Sequence, residues 1–158
     1  MVFFSGARQL QNLHPLVVHF PIAYLYGAAL FYTLSWIFKK EALSWTAFAL
    51  LVLGAIAVGV AVGTGLYAEP GVMVARGVRE HLLEPHERFM IVTASLTGVL
   101  TLWALSARPF PKKGRLFFVA LFLGMLVLMT AGADFGGRMV YEYNAGGSAC
   151  HQPIEFKG

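Results

Sequence analysis

Two short stretches of the sequence each carry a pair of histidines with the same spacing. "LHPLVVHFPI" contains His14 and His19, and "EHLLEPHERF" contains His81 and His86, so that the members of each pair are five positions apart. Both pairs stand at the start of a long apolar stretch, where a polar side chain is costly unless it has a partner. Imidazole nitrogens bind iron, copper, zinc and nickel. The pattern therefore predicts that these histidines share one metal ion or haem iron.

The positions of the histidines indicate which two would meet. His19 lies four residues beyond Pro15, roughly 6 to 7 Å into a helix, and His86 opens another helix. We expect His19 and His86 to supply both axial ligands of one haem b iron, as facing helices of a bundle can do. Two haems stacked across the membrane would need ligands about 13 residues apart on each helix. The sequence therefore predicts a single haem near one membrane face.

Alternatives remain for the same residues. Arg79 and Arg138 are candidates to neutralise the haem propionates, and they can equally bind lipid phosphate or a partner protein. Instead of haem, copper or zinc would be held by Glu84 or Glu87 together with a patch of four histidines: His14, His19, His81 and His86. A third possibility is a cofactor-free accessory subunit whose histidines only face the membrane interface.

Composition indicates a protein of the lipid bilayer. Of 158 residues, 58 % are hydrophobic and 13 % are charged, whereas a soluble domain has about a quarter charged residues. Apolar segments of about 20 residues are long enough to cross a bilayer. We predict an all-α, integral membrane four-helix bundle forming one domain over residues 1–158. Its helices cover about 15–38, 44–67, 86–106 and 116–135, with an outer loop at 68–85 and a tail at 136–158.

Basic residues in the short loops predict the orientation. One loop carries Lys39 and Lys40, and the "ARPFPKKGR" loop carries four further basic residues. Lysine and arginine concentrate in cytoplasmic loops, so both termini should face the outer (periplasmic) side of a bacterial inner membrane. The same rule accounts for the net charge of +4 without a nucleic-acid partner.

Residue patterns along the helices allow two interpretations each. A polar stripe on helix three consists of threonines that either bond to their own helix or line a cofactor pocket: Thr93, Thr97 and Thr101. In helix two, Gly59 and Gly63 form a G-x-x-x-G pattern, which is typical of close helix contact and is equally compatible with a flat porphyrin lying against the helix. Ser44 fits a helix N-cap.

Four sequence segments together resemble a known family. "HPLVVHFPIA", "GTGLY", "PHERF" and "GGRMVYEYNAG" are similar to segments of the four-helix bacterial membrane family called domain of unknown function 2231. The resemblance covers nearly the whole chain, although Asn144 and Ala145 and the "SACHQPIEFKG" tail depart from it. It implies a small b-type-cytochrome-like membrane protein that works beside c-type cytochromes. The resemblance favours the function of an electron-transfer subunit, which links the quinone pool to a cytochrome or another redox subunit on the outer side.

Motifs for stand-alone catalysis are missing from the sequence. It contains no P-loop, no H-E-x-x-H and no C-x-x-C-H for covalent haem. The single cysteine, Cys150, stands next to His151 in the tail and is expected to be a free thiol. We expect the tail to fold against a partner or over the histidines.

Overall fold

The computed structural model describes residues 13–72, 74–143 and 145 of the chain. Within these residues the structure is built from helices: α1 (His14–Val17), α2 (His19–Phe38), α3 (Glu41–Ala68), α4 (Arg76–Val78), α5 (Glu84–Ser106) and α6 (Arg115–Tyr141). A 3-10 turn, Glu69–Gly71, follows α3, and a π-helical turn, Arg79–Leu83, joins α4 to α5.

Four helical stretches of the described chain are long and apolar enough to cross a membrane. They are His14–Phe38, Glu41–Gly71, Arg76–Ser106 and Arg115–Tyr141. The predicted all-α fold with four membrane helices is therefore confirmed.

The four long helices form a ring in which each has two neighbours. Helix α2 packs against α3 and α6, and α5 also packs against α3 and α6. The side chains between them are apolar and fully buried, among them Leu25, Leu51, Leu100, Phe118 and Met125. On the outside, large apolar side chains such as Leu102 and Val127 are 69 % and 68 % exposed. Lipid tails are as apolar as these side chains, so an outward apolar surface is the expected surface of a membrane bundle.

Two predicted helix starts differ from the structure. Helix α3 begins at Glu41, so Ser44 lies inside the helix and is not its N-cap; its buried hydroxyl instead hydrogen-bonds to the hydroxyl of Ser35. The turn before α3 is made by Lys39 in the left-handed conformation, with φ 54°. The predicted outer loop at 68–85 is largely helical, because α4 and the π-helical turn lead directly into α5.

Apolar packing explains why the segment before α5 is helical and why α6 is longer than predicted. Val78 and Leu82, before α5, are buried together with Met139 and Tyr143, at and beyond the end of α6. Burial of this cluster stabilises both segments. As a result α6 runs to Tyr141, six residues beyond the predicted end at 135.

The glycines of α3 do not pack as predicted. A Cβ atom at Gly59 or Gly63 would meet no other atom within 4 Å, so the close helix contact expected at this G-x-x-x-G is wrong within the described chain. Gly54 makes the close contact instead, because a Cβ atom there would lie 2.8 Å from Cδ2 of Leu25 in α2.

Candidate functional site

The structure brings His14 and His86 together at one end of the bundle. His14 is the first residue of α1, and His86 lies in the first turn of α5. Their ring centroids are 6.4 Å apart and the ring planes make an angle of 80°. Both residues are partly buried. We call these two residues the histidine pair.

A backbone carbonyl fixes the orientation of His86. Its Nδ1 lies 2.7 Å from the carbonyl oxygen of Gly132 in α6. A carbonyl oxygen only accepts hydrogen bonds, so Nδ1 must carry the proton. In the neutral ring the lone pair is then on Nε2, which is the tautomer suited to metal binding.

A hydroxyl group orients His14 in the same way. Its Nδ1 is 3.1 Å from Oγ1 of Thr64 in α3, and the Thr64 hydroxyl donates its own proton to the carbonyl oxygen of Ala61 at 3.0 Å. With the hydroxyl proton directed at Ala61, the hydroxyl oxygen accepts from an N–H at Nδ1 of His14, and in this tautomer the neutral ring has its lone pair on Nε2.

Glycines allow both rings to lie close to neighbouring helices. A Cβ atom at Gly65 would come within 3.1 Å of Cε1 of His14, and one at Gly136 would come within 2.9 Å of Cε1 of His86. Any larger residue at either position would displace the ring. Each of the four membrane helices thus contributes to the site, by a histidine, a hydrogen-bond acceptor or a glycine.

His19, which the sequence pattern paired with His86, lies on the exposed surface of α2. Its Nδ1 lies 3.4 Å from the carbonyl oxygen of Leu16. Five residues turn a helix by about 500°, so the face that directs His14 towards α5 directs His19 away from it. We expected His19 to lie opposite His86, but the ring that lies beside His86 is that of His14.

No third histidine is grouped with the pair among the described residues. His81 is exposed in the π-helical turn, and His151 and Cys150 lie outside the described residues, as does most of the tail. Within residues 13–72, 74–143 and 145, no three histidine, cysteine, aspartate or glutamate side chains are grouped closely enough to hold a metal ion. The four-histidine metal patch is therefore not formed by these residues.

Arginines at this end of the bundle are paired with carboxylates. Arg79 contacts Glu69 at 3.2 Å, and Arg138 contacts Glu142 at 3.1 Å. Two further pairs link residues one helical turn apart, Arg76 with Glu80 and Arg88 with Glu84. Exposed pairs of this kind contribute little to stability.

The threonine stripe of α5 is mainly structural. Thr97 and Thr101 donate to carbonyl oxygens four residues earlier, at 2.8 and 2.7 Å. Thr97 also contacts Sδ of Met125 at 3.2 Å. Thr93 differs, since its buried hydroxyl has no hydrogen-bond partner among the described residues. It lies seven residues beyond His86, about 10 Å further along the same face of the helix.

Sequence patterns alone did not identify the residues that hold the histidines. Thr64 stands inside the "GTGLY" motif, and Gly132 and Gly136 are spaced four residues apart on one face of α6. That spacing was the available signal, because small residues four apart leave room for a large side chain from a neighbouring helix.

Comparison with known proteins identifies a family. The family described as "Predicted membrane protein (DUF2231)" matches residues 10–149, which include all four membrane helices and the histidine pair. No curated protein and no solved structure shows significant similarity to the chain. The chain belongs to the DUF2231 family of predicted membrane proteins.

Proposed function

We propose that this protein is a membrane electron-transfer subunit that holds one b-type haem through His14 and His86. The observation that carries the proposal is the approach of two imidazoles from different membrane helices, each held by a hydrogen bond from Nδ1. Histidines that bind metals almost always donate this second ring N–H to a fixed acceptor.

The separation of the two rings supports a shared ligand. Two imidazoles that bound one metal ion through bonds of about 2.0 Å would have their ring centroids about 6 Å apart. The centroids of His14 and His86 are 6.4 Å apart, so these two residues are the ones that would hold the metal.

The number of protein ligands favours haem over zinc or copper. A structural zinc site usually has four protein ligands and a catalytic one has three, but the described residues offer no group of three. Haem iron takes four nitrogens from the porphyrin and needs only two from the protein. Two histidines are therefore a complete protein ligand set for haem and an incomplete one for zinc.

Electron transfer is the chemistry that such a group would supply. A haem held by His14 and His86 would provide an iron centre that changes by one electron. Arg79 and Arg138 lie near this end of the bundle and are candidates to pair with the propionates. Each is now paired with a glutamate, so propionate binding would exchange one carboxylate partner for another.

The position of the histidine pair suggests the partners. By the distribution of lysine and arginine in the loops, the histidine end faces the outer side of a bacterial inner membrane. If His14 and His86 hold a haem there, it would supply a one-electron centre on that side, and we propose quinol in the bilayer and a c-type cytochrome or another redox subunit outside as the partners.

Purification of the full-length protein from haem-replete cells tests the proposal. Pyridine haemochrome analysis should give one b-type haem per chain, and a reduced-minus-oxidised spectrum should show a b-type α band. Elemental analysis in the same preparation separates the alternatives. Stoichiometric copper or zinc without porphyrin would replace the proposal with a metal-handling role, and a stable protein with neither would replace it with an accessory role.

A further inference from the structure

The end of the bundle opposite the histidine pair contains a cavity of about 430 Å³. This volume lies within the ~300–1,000 Å³ range of small-molecule sites. Five basic side chains and one acidic side chain line it: Lys39, Lys40, Arg108, Lys112, Arg115 and Glu41. We call it the basic cavity.

The cations of the basic cavity form no ion pair with the carboxylates of the described residues. Every ion pair of the described residues involves an arginine at the histidine end of the bundle. None of the five basic side chains of the cavity is in an ion pair with a described residue, and Glu41 accepts a hydrogen bond from Trp45 instead. Like charges gathered around one cavity repel each other, and a bound anion would relieve that repulsion.

The two arginines are held in place by their own surroundings. Arg115 donates from Nε to the carbonyl oxygen of Pro111 at 3.0 Å and lies over the ring of Phe110 at 5.1 Å. Arg108 donates from Nε to the carbonyl oxygen of Leu105 at 3.2 Å. A guanidinium group has five N–H donors, so each of these bonds uses one donor and positions the rest.

These features fit a phosphate group. Arginine binds phosphate oxygens through paired hydrogen bonds, and the ammonium group of lysine contributes a compact positive charge. The basic cavity lies where the loops between α2 and α3 and between α5 and α6 meet the end of the bundle. Basic pockets between membrane helices on the cytoplasmic side are typical sites for anionic headgroups. We propose that the basic cavity binds a phosphate-bearing anion.

Lys112 and Lys113 provide a matched pair of variants to test the proposal. Both are exposed and adjacent in the same loop, but only Lys112 lines the basic cavity. Lys112→Gln and Lys113→Gln therefore remove the same charge from the same loop. Binding of phosphatidylglycerol to the full-length protein is measured by native mass spectrometry, and thermal unfolding is measured in nanodiscs with and without this lipid.

A specific site predicts unequal effects of the two variants. Phosphatidylglycerol should raise the unfolding temperature relative to phosphatidylcholine alone, and Lys112→Gln should weaken its binding about fivefold, with Lys113→Gln close to the wild type. Equal losses in the two variants would indicate diffuse surface charge and overturn the proposal. The double variant Arg108→Gln with Arg115→Gln should weaken binding further, and unchanged binding would also overturn it.

Inorganic phosphate distinguishes the source of the anion. If it stabilises the protein in phosphatidylcholine nanodiscs and Lys112→Gln removes that effect, the site takes a soluble phosphate. If only phosphatidylglycerol acts, the site takes a lipid headgroup. Both results support phosphate binding, whereas no response to either anion overturns it.

Discussion

The imidazole of His86 lies against Gly136, so that a Cβ atom at this glycine would come within 2.9 Å of Cε1 of the ring. Gly137, the next residue of the same helix, has nothing within 4 Å of the same position. Alanine at Gly136 would therefore affect both the His86 ring and the helix, whereas alanine at Gly137 would affect only the helix.

Gly136→Ala is expected to displace the His86 ring and to weaken haem binding by tenfold or more, in the range seen when the support of a metal ligand is disturbed. Titration of the haem-free protein with haem measures the dissociation constant. Gly137→Ala should leave haem binding unchanged and stabilise α6 by about 1 kcal/mol, because alanine is the better helix former. Similar dissociation constants in both variants would show that the Gly136 contact does not position the ligand.

Thr64 should be important for its hydroxyl group, which accepts the proton of His14 Nδ1. Thr64→Val keeps the shape of the side chain and removes the acceptor, so haem binding should weaken by about tenfold. Thr64→Ser keeps the hydroxyl and should stay near the wild type. If valine and serine give the same haem affinity, the hydrogen bond does not support a metal ligand.

Tyr32 tests the packing of the bundle independently of any cofactor. It is fully buried, and its hydroxyl donates to the carbonyl oxygen of Pro109 at 3.0 Å. Tyr32→Phe should lower the free energy of unfolding by about 1 kcal/mol, measured by denaturation in detergent. Tyr67→Phe is the control, because Tyr67 is 87 % exposed and should change stability by less than about 0.5 kcal/mol. Equal stability of the two variants would mean that the Pro109 bond contributes nothing.

Most of the fold was predictable because the membrane imposes long apolar segments. The four spans follow from segment length alone. The extension of α6 was not predictable from local preference, since two adjacent glycines disfavour a helix by about 1 kcal/mol each. Contacts between distant segments, such as Met139 with Leu82, outweigh that preference, and no local pattern reveals them.

The sequence indicated that histidines form the candidate site, but it paired His86 with His19 and not with His14. Histidines from the first and third spans do meet, as the spacing of the motifs indicated. The choice between His14 and His19 depended on the rotation of the first helix about its axis, which a nearly uniform apolar sequence does not define. His14 also depends on Thr64, a partner 50 residues away, so only the three-dimensional structure could identify it.

The absorption spectrum of four histidine variants tests the central claim most directly. His14→Ala and His86→Ala should each abolish the b-type α band of the full-length protein, because each removes one of the two proposed axial ligands. His19→Ala and His81→Ala should retain it, since both side chains are exposed. Loss of the band in His19→Ala with its retention in His14→Ala, or its retention in all four variants, would contradict the account.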